Sequence, residues 1–187
     1  MTTIAGKMIY QLKITLKGSK PSIWRRVLIK NDITLSKLHG IIQAVMGWEN
    51  NHLHIFDICG ENYGVADSDF DYSEVCDEIK YKLNRFKFEE KDKFTYEYDF
   101  GDSWEHIITV EKIFPIDTQV KYPVCIKGKN ACPPEDCGGL WGYYDMVDAI
   151  KDSKHPEHES YTEWLGEDFD TEAFDINKVS ANLECME

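Results

Sequence analysis

The sequence contains no long apolar run. No stretch nears the roughly 20 residues that a membrane-spanning helix needs. Positive charge is also scarce. Lys plus Arg number 21 against 34 Asp plus Glu, a formal charge of −13. Phosphate affinity depends on a broad basic face, so this balance argues against a general nucleic-acid binder. There is no Gly-rich phosphate loop and no G-x-S-x-G nucleophile elbow. The six cysteines include no C-x-x-C pair, which weakens a zinc reading. The N-terminal MTTIAGKMIYQLKITLKG lacks the apolar core and cleavage site of a secretory leader. The expected compartment is therefore the cytoplasm, and free thiols are the expected state of the cysteines.

What is present suits a folded core. Of 187 residues, 42% are hydrophobic and 13% aromatic, too many for a disordered chain. Length and the lack of a long linker predict one domain over 1–187, its core at about 8–183.

Period-two patterns predict strands. Met8 to Leu16 alternates, Lys17 to Pro21 carries turn chemistry, and Ile23 to Ile29 reads as the second arm of a hairpin. Thr34 is the expected N-cap of a helix from Leu35 to Met46, closed by Gly47. His52 to Ile58 alternates again, with Leu53, Ile55 and Asp57 on one face and His52, His54, Phe56 and Ile58 on the other. Glu61 to Asp77 reads as an acidic loop, and Glu78 to Phe88 fits helix or strand. Phe94 to Phe100 and Trp104 to Phe114 predict a second hairpin about Gly101-Asp102-Ser103. Phe94, Tyr96, Tyr98 and Phe100 then share a face, as do Trp104, His106, Ile108 and Val110. Tyr122 to Lys127 is a short strand and Gly128 to Gly142 a Gly/Pro/Cys loop. Helices follow over Tyr143 to Lys151, over His155 to Leu165 with Pro156 in the first turn, and over Phe174 to Leu183. The order predicts an α+β fold: a mainly antiparallel, curved sheet from two hairpins, one packed helix and a C-terminal cluster of short helices.

Five groups invite a chemical reading. Asp99, Asp102 and His106 flank a turn beside Trp104. Two carboxylates and an imidazole can hold a divalent metal or divide acid and base roles. Turn residues also bend back onto their own amides, which accounts for both acids without chemistry. Cys125, Cys132 and Cys137 could take zinc with His52, His106 or Cys59, or be buried as small apolar groups. Glu135 and Asp136, on a scaffold stiffened by Pro133 and Pro134, could face a cleft or cap a helical turn. Arg25 and Arg26 beside Trp24 and Trp48 could grip an anion, but they face opposite ways on a strand. Ion pairing with the abundant carboxylates is their more ordinary role. Asp67, Asp69, Asp71, Glu74, Asp77 and Glu78 lack the Gly and closing Glu of a calcium loop and read as a solvated face. His39, beside Leu38, reads as a satisfied half-buried residue.

Several ordered segments carry a family resemblance. They are Trp24-Arg25-Arg26-Val27 with Thr34-Leu35 and Leu38-His39, then Gly47-Trp48 with His52-Leu53 and Phe56. Next come Tyr96-x-Tyr98-Asp99-Phe100-Gly101-Asp102-x-Trp104-x-His106 and Cys132-Pro133-Pro134-Glu135-Asp136-Cys137-Gly138-Gly139 with Gly142-Tyr143. Together with His155-Pro156-Glu157-His158 and Trp164-Leu165-Gly166, Phe169-Asp170 and Phe174, they resemble the plasmid pRiA4b ORF-3-like family from about Tyr10 to Leu183. One departure is Asn130, where the family more often has Arg. The resemblance implies a compact α+β module and brings no reaction or cofactor. Some members carry a resolvase-like label from mobile-element neighbourhoods.

The expected function is a non-catalytic binding or interaction module for a protein, peptide or small molecule. A metal-dependent hydrolase built on the 99–106 and 132–139 loops is the alternative, and an accessory role in mobile-element DNA transactions a third. The candidate ligand-binding residues are His52, Asp99, Asp102, Trp104, His106, Glu135, Asp136 and Arg25; no catalytic residue, metal or cofactor is assigned.

Overall fold

The computed structural model describes residues 7–65, 75–166 and 169–185. Eight strands form one sheet: β1 (Met8–Leu16), β2 (Trp24–Lys30), β3 (His54–Ile58), β4 (Glu61–Gly64), β5 (Val75–Asp77), β6 (Lys93–Tyr98), β7 (Trp104–Pro115) and β8 (Val124–Lys129). Their spatial order is β5-β4-β3-β6-β7-β1-β2-β8. Every neighbouring pair is antiparallel except β4 and β5. The helices are α1 (Leu35–Met46), α2 (Gly139–Lys151), α3 (His158–Leu165) and α4 (Ile176–Glu184). The fold is α+β, with helices added to a mainly antiparallel sheet.

Alternation dictates one buried face. Along β1 and β2 every second residue is buried, giving Leu12, Ile14 and Leu16 opposite Val27 and Ile29. The same face receives Phe94, Tyr96 and Tyr98 from β6 and Trp104, His106, Ile108 and Val110 from β7. Helix α1 covers it with Leu35, Leu38, Ile41, Ile42, Val45 and Met46. Burying each such side chain is worth roughly 1.5–3 kcal/mol before entropy is charged against it. The opposite face is polar: Arg26 forms a two-pronged pair with Glu111, which also accepts from Gln11. Register slips between Gln11 and Leu12 and between Arg26 and Val27 mark bulges, which bend the strands that carry them.

The predicted limits of α1 match the structure because both ends are chemically marked. Thr34 accepts from the Lys37 amide, and Gly47 adopts the left-handed conformation (φ 90°). Other boundaries shift. The stretch predicted as an acidic loop holds β4 and β5 at its two ends, and β3 with β4 makes a third hairpin. Asp67, Asp69, Asp71 and Glu74 lie outside the described residues. The ambiguous segment forms two short 3-10 turns, Glu78–Lys80 and Leu83–Phe86. Phe100 leaves the face of its neighbours and is exposed, because Asp99 turns left-handed (φ 57°) and ends β6. Helix α2 starts earlier than predicted, at Gly139. Helix α3 starts later, at His158, with Pro156 in the turn before it.

Two glycines of the Cys-Pro loop are required by close approach. A Cβ on Gly139 would sit 2.5 Å from the Asp102 carbonyl oxygen, and one on Gly142 would sit 1.8 Å from that of Cys137. The first approach presses the start of α2 onto the β6–β7 turn, and the second folds the loop back on that helix. Those contacts, with the 47–53 connection after α1, build the candidate site.

Candidate functional site

Three loops meet at one end of the sheet. The 47–53 connection is tied to β6: the Asn51 amide donates to the Tyr98 hydroxyl (3.0 Å), and the Asp99 amide donates to the Leu53 carbonyl (2.9 Å). The 131–138 loop is tied to both others. Trp48 Nε1 donates to the Pro133 carbonyl (3.0 Å), and the Gly138 amide donates to Asp102 Oδ2 (3.1 Å). The Tyr98 hydroxyl donates to Glu135 Oε1 (2.6 Å), which also accepts from the Glu49 amide (3.2 Å).

This scaffold gathers carboxylates. His52 Nε2 lies 3.1 Å from Asp136 Oδ1 and 3.7 Å from Asp99 Oδ2. Asp99 is 8% exposed, and its other oxygen is taken by the Gly101 amide (2.9 Å). Glu135 and Glu49 stand alongside, each within reach of the Asn51 side-chain amide. Among the described residues no lysine or arginine lies within ion-pair distance of Glu49, Asp99, Glu135 or Asp136. Burial, then the neighbouring Glu135 carboxylate, pushes the Tyr98 phenol upward, so it remains a proton donor at neutral pH.

A groove of about 920 Å³ adjoins this wall. Trp48, Pro133, Pro134, Phe169 and Phe174 supply its apolar lining, while Glu49, Glu135 and Asp175 put acids along it. The Trp48 indole is stacked on Tyr98, with ring centres 5.1 Å apart. The size falls within the range of ligand clefts.

The other candidates have different surroundings. Asp102 is a strut holding the Cys-Pro loop through Gly138. His106 is fully buried against Trp48 and Tyr96, and neither ring nitrogen meets hydrogen-bond geometry. Burial drives its pKa down to about 4, so it is neutral and away from the wall. Trp104 is also buried, beneath Trp48. Arg25 lines the groove without the carboxylate partner expected for it. Its guanidinium donates to the carbonyls of Val45, Trp24 and Lys129 (2.9–3.0 Å) and lies 4.8 Å from the Phe174 ring centre. Arg26, on the other face of the strand, is held by Glu111. Cys125, on β8, and Cys132 and Cys137 do not gather as zinc ligands. Among the described residues, the one metal-like grouping is His52, Asp99 and Asp136, with ligand atoms within 4.8 Å of one another. Burial raises the thiols of Cys132 and Cys137, the latter to about 12, which disfavours thiolate binding of a metal.

Glu49 and Tyr98 belong to the wall but were not among the candidates. An exposed acid after a helix reads as solvated, and a tyrosine in an alternating strand reads as core. The adjacent run Gly47-Trp48-Glu49-Asn50-Asn51-His52, unusually polar after a helix stop, was the available signal.

Among the described residues, no helix is long and apolar enough to cross a membrane. The chain is 35% identical over 177 residues to an uncharacterised protein, y4hQ, of Sinorhizobium fredii, covering 94% of this chain and 91% of that one. It also superposes on the crystal structure of MM3350, a protein of unknown function from Methanosarcina mazei Go1. The TM-score is 0.85 at 42% identity, over 94% of this chain and 99% of that one. Residues 8–178 match the model of the plasmid pRiA4b ORF-3-like protein family, to which this chain belongs.

Proposed function

We propose that the protein is a binding module for a cationic group on a short peptide segment, a Lys or Arg side chain flanked by apolar residues. The observation that carries this reading is the gathering of Glu49, Asp99, Glu135 and Asp136 around His52, with no lysine or arginine among the described residues within ion-pair distance of them. Like charges held together repel, and an incoming cation relieves that repulsion. The apolar groove beside the wall accommodates the rest of the segment. The whole chain forms the working unit in this reading. It acts in the cytoplasm, where its six free cysteines suit a reducing compartment.

The test is calorimetric titration with short peptides carrying Lys or Arg beside an aromatic or aliphatic residue, matched with acidic controls. Basic peptides are expected to bind and to weaken with added salt. A Glu49→Gln, Glu135→Gln double variant is expected to lose about tenfold or more in affinity, the loss of 1.4 kcal/mol or more. Equal binding of basic and acidic peptides, or none at millimolar concentration, overturns the reading. A second reading, metal-dependent hydrolysis, is favoured by the grouping of His52 with Asp99 and Asp136.

A further inference from the structure

We propose that His52, Asp99 and Asp136 form a binding site for a divalent first-row transition ion, with manganese or cobalt as suitable probes. The inference deepens the cation-binding reading above and rests on it.

The donor set is one imidazole nitrogen and two carboxylate oxygens, brought together from three loops. An imidazole selects for transition ions over magnesium and calcium, which prefer oxygen alone. Two atoms bound to one ion at about 2.1 Å stand roughly 3.0 Å apart at a right angle and 4.2 Å apart in line. The distances from His52 Nε2, 3.1 Å to Asp136 and 3.7 Å to Asp99, fall between those limits.

The state of the imidazole is the second observation. His52 Nε2 is shielded from solvent yet has no hydrogen-bond partner. It lies 3.1 Å from Asp136 Oδ1 without forming a hydrogen bond to it. A buried nitrogen is costly to leave unmatched. An ion between the three donors satisfies it and the facing oxygens at once. The set is also supported from outside. Asp99 is fixed by the Gly101 amide, and Tyr98 packs edge-on against the His52 ring (5.8 Å) while its hydroxyl holds Glu135. Such outer contacts orient ligands at metal sites. Asp136 is the solvent-facing member, its side chain 71% exposed. It can close the remaining gap, and the open side leaves room for water or a peptide group.

The full chain, stripped with chelator, is titrated with Mn²⁺ by calorimetry and electron paramagnetic resonance, and with Co²⁺ by visible absorption. One equivalent of each is expected, and the Co²⁺ spectrum lacks thiolate charge transfer. His52→Ala and Asp99→Asn are each expected to weaken binding by roughly 100-fold or more. Asp136→Asn, at an exposed position, gives a similar loss without altering thermal melting. A Cys132→Ser, Cys137→Ser variant keeps the site. Absence of stoichiometric binding, or binding that survives His52→Ala and disappears in the cysteine variant, overturns the proposal. Basic peptides that bind metal-free protein while neither metal does would leave the cation-binding reading intact and remove this one.

Discussion

His52 and His54 lie two residues apart and both face carboxylates, yet their surroundings differ in kind. His54 Nε2 is hydrogen-bonded to Glu78 at 2.7 Å, and both side chains are 4% exposed. Its ring stacks on His39 at 3.5 Å. His39 in turn meets Asn50 Oδ1 through Nε2 (2.6 Å) and the Tyr96 hydroxyl through Nδ1 (2.8 Å), and that hydroxyl accepts from Gln43. The network reads consistently if neutral His39 carries its proton on Nε2. Here buried polar atoms consume one another's valences, the condition for a polar core that rigidifies. His52 has two carboxylates nearby and a hydrogen bond to neither. Similar residue types thus make a closed structural network in one place and an unfinished set of donors in the other. The lesson is that an unpartnered nitrogen points to a site only where it faces other donors: His106 is unpartnered too, but it is walled in by aromatic rings.

The comparison can be broken hardest at its closed half. Glu78→Ala removes one member of a buried pair and leaves His54 facing an uncompensated space. A loss of about 3–5 kcal/mol is expected in urea unfolding. A loss below about 1 kcal/mol would show the pair to be incidental.

Acid tests the neutral imidazoles. Burial, aided by His54 in the case of His39, depresses His39 and His106 to about 4. In the unfolded chain a histidine titrates near ~6.5. The unfolded state therefore takes up protons first as pH falls, and stability is lost from about 6.5 down to about 4, on the order of 3 kcal/mol for each residue. Below about 4 this contribution levels off. Urea midpoints measured between about pH 7.5 and 4.5 should fall accordingly, and His106→Phe should flatten the slope, because it removes a group that titrates in the unfolded chain and is held neutral by burial in the folded one.

The smallest effect concerns the strut beneath the open half. Asp102→Ala removes the acceptor for the Gly138 amide and should cost roughly 1–2 kcal/mol. It should also lower cation affinity, because the Asp136 loop loses its anchor. An unchanged affinity would mean that the Trp48–Pro133 and Tyr98–Glu135 bonds, with the glycine packing, hold the loop without Asp102.

Much of this architecture was legible in the sequence, and the legible parts share a cause. Helix α1 and the β1–β2 and β6–β7 hairpins are governed by local signals: Thr34 and Gly47 at helix ends, period-two alternation in strands, Gly101 in a turn. Phe100 escaped because its position depends on the left-handed Asp99. Candidate residues were visible singly, but their partnerships were not. Asp99, Asp102 and His106 are neighbours in sequence, which suggests one cluster. In space Asp102 serves the Cys-Pro loop, His106 enters the core, and Asp99 turns to His52 and Asp136. The strand alternation that sends His106 inward was itself readable; the arrival of Asp136 from a remote loop was not. Glu78 was equally hidden, in a segment whose secondary structure was ambiguous.

The origin of the three donors on separate loops has a mechanical consequence. Whatever settles between residues 52, 99 and 136 clasps three distant stretches of polypeptide at one knot. Occupancy then slows the local breathing of that end of the sheet without reshaping it, and the bound state announces itself as resistance to proteases and slower amide exchange in the surrounding loops.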